Sequence, residues 1–482
     1  MFSESTSSKI LIIHYGDLTE VSVCQTVMNH RHTSRREFIK TTALTLPLIA
    51  AGCNHLPTSS VGARKTTGDF VAVRNGRFKL QGRPYFYIGA NLWYGCYLSD
   101  PALPGGSQRL VRELDRLQGI GVTNIRLLAG SETSPLAGAI PHGITRAPRD
   151  WDEDLLRGLD FCLAEMASRN LRGILFLSNY WQWSGGFAQY VRWITGDTIP
   201  DPDKPVMAKG NWSNFMKFSA RLYVTPAANQ LYLDYISRLI QRRNTVNGRV
   251  YRDDPAIMTW ELANEPRPGT NAAVSGAPEF CRWVDATARF IHAQDPNHLV
   301  CTGSEGIHGC LDKPDVFVKA HETPAIDYVT VHMWLKNWGW LKDPQRGPDY
   351  EKAAKRAGDH VEQHTVLATD TLRKPLVLEE FGLPRDHEQY APDSPATVRD
   401  DYFRRMFNQV AESCRAGRAL QGANFWTWGG EGRAGAGKPD SAPALTGDPF
   451  SEPQGLNSVF DTDQSTLAVI AQANEKLAAL AG

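Results

Sequence analysis

Two glutamates at the ends of apolar segments carry the most informative chemistry in the sequence. Glu265 follows the apolar segment that begins at residue 257, and Glu380 lies near the end of the segment 375–381. Two carboxyl groups about 5–5.5 Å apart can cleave a glycosidic bond with retention, one as acid/base and the other as nucleophile. Because two close carboxylates repel each other, one of them stays protonated near neutral pH, as an acid must. The sequence therefore predicts a hydrolytic site if the fold brings these two segments together.

Strand-like and helix-like segments alternate along the chain, which predicts parallel strands joined by helical crossovers. The strand-like segments are 85–93, 124–128, 173–179, 257–266, 299–303, 328–334, 375–381 and 422–428. Helical periodicity marks 107–118, 151–168, 228–243, 396–412 and 465–479. About eight such units favour a closed (β/α)8 barrel. An open doubly wound sheet is the alternative, but no glycine-rich nucleotide loop follows the first strand.

A barrel of this kind places its catalytic groups where the strands end, at the carboxyl face. Polar and aromatic residues do collect at those positions. They are Asn91, Trp93, Arg126, Asn179, Trp181, Asn264, Glu265, His332, Trp334, Glu380 and Trp426. Such a concentration on one rim is hard to explain by packing alone, and it predicts the location of the site.

The segments around the two glutamates resemble the two signatures of glycoside hydrolase family 5. They read WELANEPRPG at 260–269 and LVLEEFGLPRD at 376–386. The resemblance implies that Glu265, in Asn-Glu-Pro, is the acid/base, and that Glu380, before the aromatic–Gly pair, is the nucleophile. Glu379 is the competing choice for the nucleophile. Strand alternation is expected to direct its side chain to the opposite side of the strand.

The same resemblance assigns roles to further residues of the rim. It implies that Asn264 binds the sugar 2-hydroxyl, that Arg126 keeps the nucleophile ionised, and that His332 is the family's active-site histidine. Many members carry Tyr where this chain has Trp334, so stacking on sugar is the expected role there. Trp426 matches the family's strand-eight tryptophan and is expected to form a sugar platform.

Additional sugar contacts are expected from Trp93, Asn179 and Trp181 at their strand ends. Of the four loop tryptophans above the rim, about half are expected to line subsites. These are Trp181, Trp183, Trp338 and Trp340.

Finer motifs resemble the mannan-degrading branch of the family, both bacterial β-mannanases and exo-acting β-mannosidases. They include SNYWQWSGG at 178–186, HMWLKNWGW at 332–340 and NFWTWGGEGR at 424–433. The expected substrates are β-mannan, glucomannan, galactomannan and their oligosaccharides, with no metal or organic cofactor. Endo and exo action both remain open. The loop 431–456 is long enough to close the cleft, which would make the action exo.

Two other functions remain as alternatives to mannan hydrolysis. A β-1,4-glucanase of the same family would share both glutamates and differ at its contacts with the sugar 2-hydroxyl. A non-catalytic, surface-tethered glycan-binding lipoprotein would be expected to lack one of the two carboxylates, and both are present.

Composition agrees with a carbohydrate substrate. The chain has 482 residues, a formal net charge of +0 and 13 Trp. Because no basic patch stands out, nucleic acid is not an expected partner, and a monomer is expected. The 8 Cys show no zinc-type spacing, and Cys301 and Cys310 could bridge across a loop.

Residues 1–53 read as a leader, 54–68 as a Ser/Thr/Pro-rich linker and 69–482 as the catalytic domain. The segment 34–40 resembles the twin-arginine export motif. The apolar segment 43–51 is too short to span a bilayer, so it is expected to belong to a signal peptide. Ala51-Gly52-Cys53 resembles a lipoprotein processing site. The sequence predicts translation from Met28 and export to the periplasm or cell surface, with a lipid on Cys53 as the alternative to a free protein.

Overall fold

Parallel strands and flanking helices make up the described part of the chain. The computed structural model describes residues 69–202, 211–270, 276–391, 393–433 and 445–482, so the predicted leader and linker lie outside the described residues. The strands are β1 Ala72–Arg74, β2 Arg77–Leu80, β3 Arg83–Pro84, β4 Tyr87–Asn91, β5 Asn124–Leu128, β6 Thr145–Ala147, β7 Asp150–Trp151, β8 Arg172–Phe176, β9 Ile257–Glu261, β10 Leu299–Cys301, β11 Val329–Met333, β12 Leu376–Phe381, β13 Leu420–Phe425, β14 Trp428–Gly430 and β15 Val459–Phe460.

The α-helices follow the strands in the alternation that the sequence predicts. They are α1 Gly95–Leu98, α2 Gly106–Gly119, α3 Glu153–Ser168, α4 Gly186–Thr195, α5 Trp212–Ser219, α6 Pro226–Ile240, α7 Ala277–Gln294, α8 Pro314–His321, α9 Pro348–Val366, α10 Thr397–Ala416 and α11 Gln464–Ala481. Each predicted helix is found, with its ends moved by a few residues.

Eight strands form one parallel sheet in the order β10-β9-β8-β5-β4-β13-β12-β11. Chain order and spatial order therefore agree around the sheet. Its two outer strands approach each other, because the Asp327 backbone N–H donates to the Val300 carbonyl at 2.9 Å and the His332 N–H donates to the Glu305 carbonyl at 3.4 Å. The sheet is a nearly closed (β/α)8 barrel, as predicted.

The helices cover the outer face of this barrel by packing apolar side chains against it. On β12, for example, the Phe381 ring contacts the rings of Phe403 and Phe407 on α10, at centroid distances of 5.1 and 5.7 Å. At the start of α3, the Asp152 carboxylate accepts from the backbone N–H groups of Asp154 and Leu155, which satisfies donors that the helix leaves open.

A small antiparallel sheet of β1, β2 and β3 closes the amino-terminal end of the barrel. Phe78 on β2 and Val71, the residue before β1, pack into a buried cluster with interior-facing residues of the barrel strands, including Val377. The Phe78 ring meets the Tyr328 ring edge-on at 5.2 Å. This apolar floor leaves the carboxyl ends of the strands as the face on which a site can open.

Cys301 and Cys310 are buried free thiols in the structure, so the suggested bridge between them is not formed. Among the described residues, no helix combines the length and the apolar composition that crossing a membrane requires.

Candidate active site

The carboxyl groups of Glu265 and Glu380 lie together at the carboxyl face of the barrel. One oxygen of each lies within 4.8 Å of the other. The two side chains are almost buried, with 7% and 3% of their residue surfaces exposed. Their spacing suits direct attack by one carboxylate while the other donates a proton, because an inverting pair is placed about 6.5–9.5 Å apart.

His332, at the end of β11, contacts both carboxyl groups through the same ring nitrogen. Its Nδ1 atom lies 2.7 Å from Oε1 of Glu265 and 3.3 Å from Oε2 of Glu380. Ionised carboxylates only accept hydrogen bonds, so Nδ1 must carry a proton in this arrangement. The histidine thereby links the predicted acid to the predicted nucleophile.

Arg126, on β5, is fully buried below the two carboxyl groups and supplies the main positive charge. Its guanidinium donates to a carboxylate oxygen of Glu380 and to the Oδ1 atoms of Asn91, at 3.0 Å, and Asn264, at 2.7 Å. It also donates two hydrogen bonds to Glu261, of 2.6 and 2.8 Å. A planar fork with several fixed donors suits this role, and a lysine could not reproduce it.

The expectation that Glu379 faces away from the site is wrong. In the parallel pairing of β11 with β12, Val331 pairs with Leu378 and His332 pairs with Glu380, so Glu379 is an extra residue in β12. Such a bulge interrupts the alternation of side chains. Oε2 of Glu379 consequently lies inside the barrel, 3.7 Å from Nε of Arg126 and 3.7 Å from Nε2 of His332.

Glu265 has an unusual backbone conformation, with φ of 52°. Its N–H donates to the Gly303 carbonyl at 2.8 Å, which holds the segment in place. Gly303 itself has φ of 74°, and a Cβ there would lie 2.1 Å from the Ala263 carbonyl oxygen and 2.2 Å from Oε1 of Glu261. The close approach of β9 and β10 therefore requires glycine at position 303, and strain of this kind is common at active sites.

Asn264 and Asn179 form a buried amide pair next to the acid. Nδ2 of Asn264 donates to Oδ1 of Asn179 at 3.2 Å, and that oxygen also accepts from the Trp181 N–H at 3.0 Å. The Trp181 indole N–H in turn donates to Oε2 of Glu265. Asn179 thus orients Asn264 and Trp181, while Trp181 contacts the acid directly.

Of the four tryptophans predicted at strand ends, Trp334, Trp426 and Trp93 differ in how far they are exposed. Trp334 is partly exposed, and its ring meets the Trp426 ring edge-on at 6.0 Å. Trp426 is 3% exposed and precedes a cis peptide bond to Thr427. Trp93 is 1% exposed, and its indole N–H donates to the Gly447 carbonyl at 2.5 Å. Trp93 therefore supports the loop that follows β14 and presents no open face to a sugar.

The loop tryptophans also divide into two groups. Trp181 borders the acid, and Trp183 packs between Trp93 and Trp426. Trp338 packs on His308, with ring centroids 4.4 Å apart, and the Trp340 ring is covered by the Arg356 guanidinium at 3.8 Å. Trp338 and Trp340 thus pack against protein groups, and both remain partly exposed.

Burial and charge shift the ionisation of the three central groups in different directions. Burial lowers the pKa of His332, but the charge of Glu380 and the hydrogen bond to Glu265 outweigh it and raise that pKa to about 10. Burial raises the pKa of Glu265, but the hydrogen bond and charge of His332 outweigh it and lower that pKa to about 2. Burial raises the pKa of Glu380 to about 7, against the charges of His332 and Arg126.

The order of these three pKa values differs from that of a simple acid/base pair, in which the acid itself holds the proton. The raised pKa of His332 and the lowered pKa of Glu265 favour the proton on His332, whose Nδ1 lies 2.7 Å from Oε1 of Glu265. Transfer along that hydrogen bond would protonate Glu265 and leave a neutral imidazole. Since the three groups interact directly, the protons belong to the cluster as a whole.

Several residues of the site were not predicted from the sequence. Glu261 lies within an apolar strand, and burial raises its pKa to about 8 despite the Arg126 charge. Arg267 pairs with the buried Glu305 and lies over the Trp181 ring at 4.9 Å. Glu261 ends β9 and Arg267 follows it, so both lie in or beside a predicted strand. Their partners are distant in the sequence, and only the three-dimensional contacts reveal them.

The loop after β14 brings another carboxyl group to the site. Burial raises the pKa of Glu452 to about 8, and the charges of Asp448, Glu380 and Glu265 add to the increase, while a hydrogen bond with Asn337 opposes it. The charges of both central carboxylates thus act on Glu452, whose side chain is partly exposed.

Two sets of side chains have polar atoms as close together as those of a metal site. They are Glu265, His332 and Glu380 in one set, and Glu261, Cys301 and Glu379 in the other. The positive charge of Arg126 beside these sets, and that of His332 within one of them, oppose the binding of a cation. The chemistry that the carboxyl groups support requires no metal.

Comparison with known proteins gives a consistent result over the whole catalytic region. Residues 68–481 match the family model described as GH family 5 beta-mannosidase-like. A glycoside hydrolase family 5 mannosidase from Rhizomucor miehei is 34% identical, with a TM-score of 0.77 over 86% of this chain and 98% of that chain. The same mannosidase has been solved in complex with mannosyl-fructose.

Plant enzymes are more distant relatives. A putative mannan endo-1,4-beta-mannosidase 4 of Arabidopsis thaliana is 28% identical over 80% of this chain and 89% of its own length. The mannan endo-1,4-beta-mannosidase 1 of Oryza sativa subsp. japonica is 28% identical over 74% of this chain and 78% of its own length.

Proposed function

The chain belongs to glycoside hydrolase family 5, in its β-mannosidase-like group, and from this we propose that it removes mannose from the ends of β-1,4-manno-oligosaccharides. One observation carries the catalytic part of the proposal. The carboxyl groups of Glu265 and Glu380 contact the same nitrogen of His332 and lie within 4.8 Å of each other. This spacing supports hydrolysis with retention of configuration.

The proposed reaction has two steps. In the first, a carboxylate oxygen of Glu380 attacks the anomeric carbon while Glu265 gives its proton to the departing glycosidic oxygen. In the second, Glu265 takes a proton from water, and the water oxygen attacks the mannosyl ester and releases Glu380. Arg126 donates to Glu380, so it stabilises the carboxylate both before attack and after release.

The shape of the site supports exo action. Asp448 holds the loop after β14 together, because its carboxylate accepts from the N–H groups of Gly455 and Asn457 and from the Ser458 hydroxyl, at 2.7–3.0 Å. This anchored loop carries Glu452, whose pKa responds to the charges of Glu380 and Glu265. A fixed loop beside the catalytic carboxyl groups would obstruct a polymer that had to pass through the cleft.

The relatives support mannose as the sugar. The Rhizomucor miehei protein is named a mannosidase and was solved with mannosyl-fructose. The plant relatives are named mannan endo-1,4-beta-mannosidases. Endo action is thus the second candidate, and the choice between the two depends on whether the rim loops leave the cleft open at both ends.

A product time course on mannohexaose, with cellohexaose in parallel, tests the proposal. We expect mannose from the first time point, with the hexaose shortened by one unit at a time. Early mannobiose and mannotriose would overturn exo action and establish endo action. Attack on cellohexaose alone would establish the glucanase alternative, and activity on neither substrate would overturn hydrolysis altogether. NMR of the first product should show the β-anomer, whereas the α-anomer would contradict the double displacement.

We further propose that the protein is exported, on the evidence of the arginine pair at 35–36, the short apolar segment after it and Cys53. These residues lie outside the described part of the chain. Cell fractionation with metabolic labelling by a fatty acid tests both parts. Label in the membrane fraction that disappears in Cys53→Ser supports the lipid, unlabelled protein in the periplasm supports export without it, and protein confined to the cytoplasm overturns export.

A further inference from the structure

The buried carboxylate of Glu379 has no role in the reaction proposed above, although it lies next to the central groups. Its residue surface is 0% exposed. Neither of its oxygens has a hydrogen-bond partner among the described residues. Burying a carboxylate without hydrogen bonds costs folding free energy. An opposite charge beside Glu379 is therefore expected.

Two cationic atoms face this carboxylate. Nε of Arg126 and Nε2 of His332 each lie 3.7 Å from Oε2 of Glu379. Arg126 already donates to Glu261, Asn91, Asn264 and Glu380. The Nε2 atom of His332, in contrast, has no hydrogen-bond partner among the described residues. Nε2 of His332 is therefore the cationic atom that is most available to balance the charge of Glu379.

Among the described residues, the charged groups around His332 come from several strands. Glu265 follows β9, and Glu379 and Glu380 lie on β12. Glu305, after β10, and Glu261, on β9, also interact with its charge, and Arg126 shares Glu379 and Glu380 with it. Both ring nitrogens of His332 thus point at carboxylates, with Nδ1 on Glu265 and Glu380 and Nε2 on Glu379. Carboxylates accept hydrogen bonds, so this surrounding favours an imidazolium with both nitrogens protonated.

We propose that Glu379 is a positioning residue that keeps His332 as an imidazolium, and that it thereby holds the proton that Glu265 needs within the site. The bulge in β12 makes this possible, because it directs two consecutive glutamates toward one histidine. Glu380 touches the reacting sugar, whereas Glu379 acts only through His332. The inference rests on the proposed function in assigning the acid role to Glu265.

The test compares Glu379→Gln with the wild-type enzyme over the pH dependence of kcat/KM on mannobiose, whose leaving group needs the proton of the acid. The amide keeps the shape and removes the charge. Because a neighbouring opposite charge shifts a pKa by about 1–3 units, we expect the alkaline limb to move down by about 1–3 pH units. The acidic limb, which reports Glu380, should stay in place. An unchanged alkaline limb in a folded Glu379→Gln enzyme would overturn the proposal.

Two further variants separate charge from shape. Glu379→Asp keeps the charge, so it should return the alkaline limb toward the wild-type position, whereas a purely structural role would leave it displaced. Glu261→Gln makes the same change on β9, at a carboxyl group that bonds to Arg126 and does not contact His332. It should move the limb less than Glu379→Gln, and an equal shift would contradict a specific role for Glu379.

A direct titration keeps the inference testable if Glu379→Gln does not fold or if no β-mannoside is hydrolysed. The ¹⁵N signals of His332, assigned by comparison with His332→Asn, report the protonation of both ring nitrogens in the wild-type protein. We expect an imidazolium at pH 8, and a neutral ring there would overturn the inference. Absence of β-mannoside hydrolysis with a charged His332 would instead refute the proposed function and leave the pairing with Glu379 intact.

Discussion

Glu265 and His332 are joined by a 2.7 Å hydrogen bond between Oε1 and Nδ1, so the proposed acid and a base of raised pKa share one proton. This pairing predicts a bell-shaped dependence of kcat/KM on pH. Activity should rise as Glu380 ionises, with its pKa raised to about 7 by burial. It should fall as the shared proton is lost, with the pKa of His332 raised to about 10. Initial rates on mannobiose, with the fold monitored by circular dichroism, measure both limbs.

Substitution of each catalytic carboxyl group should give a different kinetic signature. Glu380→Ala removes the nucleophile, and kcat should fall by about 10⁴-fold or more on every substrate. Glu265→Ala removes the acid, so the loss should be about 10²–10⁴-fold on mannobiose. On an aryl mannoside that needs no protonation of its leaving group, this loss should be much smaller. Equal losses of Glu265→Ala on both substrates would contradict the acid role.

Arg126→Lys should damage both stability and activity. The guanidinium is completely buried and serves Asn91, Glu261, Asn264 and Glu380. One ammonium cannot reach all of them, and breaking a buried ion pair costs about 3–5 kcal/mol. Urea unfolding measures the loss. The matched control is Arg112→Lys, whose pair with Glu431 lies at the surface and should contribute almost nothing.

Glu452→Ala should weaken substrate binding more than the chemical step. The pKa of Glu452 responds to the charges of Glu380 and Glu265 and its side chain is partly exposed, so we expect it to meet a sugar hydroxyl. Loss of one or two such hydrogen bonds should raise KM for mannobiose by about 3–10-fold with a smaller change in kcat. Glu388→Gln is the control, because Glu388 pairs with Lys336 at the surface. A fall in kcat with KM unchanged would exclude this binding role.

Glu132→Gln should reduce the loss of stability that occurs as the pH rises from about 4.5 to 7. Burial raises the pKa of Glu132 to about 7, against hydrogen bonds from Gly186 and Ser178. A carboxyl group with a raised folded-state pKa stabilises the fold below its unfolded pKa of 4.5, and that contribution is lost as pH rises through 7.

The free energy of unfolding should therefore fall less between about pH 5 and pH 9 in Glu132→Gln than in the wild type. The difference should be about 2–3 kcal/mol, since one pKa unit corresponds to about 1.4 kcal/mol. Glu412→Gln, at an exposed position of α10, should behave as the wild type does. A wild-type pH dependence in Glu132→Gln would show that Glu132 does not titrate in this range.

The barrel could be predicted because its elements are local and repeated. The segment 124–128, for example, is the strand Asn124–Leu128 in the structure, and Glu265 and Glu380 follow or end two others. The bulge at Glu379 could not be predicted in this way. It depends on how β12 pairs with β11. The register between two strands cannot be deduced from the sequence of either strand alone.

Partners that are distant in the chain were missed for a similar reason. Glu261 appears in an apolar strand, and only its contact with Arg126, 135 residues away, shows why a carboxyl group is there. Trp93 was predicted at the right strand end, but its burial depends on Gly447, 354 residues later. Strand ends locate a site, whereas the contacts between loops decide which of its side chains meet the substrate.

The apolar floor formed by Val71 and Phe78 has a consequence for the timing of proton exchange. It seals the barrel below Arg126, His332 and Glu379, all of which are completely buried. Protons on these groups can reach bulk solvent quickly only through the catalytic mouth, which a bound sugar covers. An enzyme moved into heavy water with its cleft occupied should therefore retain hydrogen at these positions, and it should exchange them only as the product leaves.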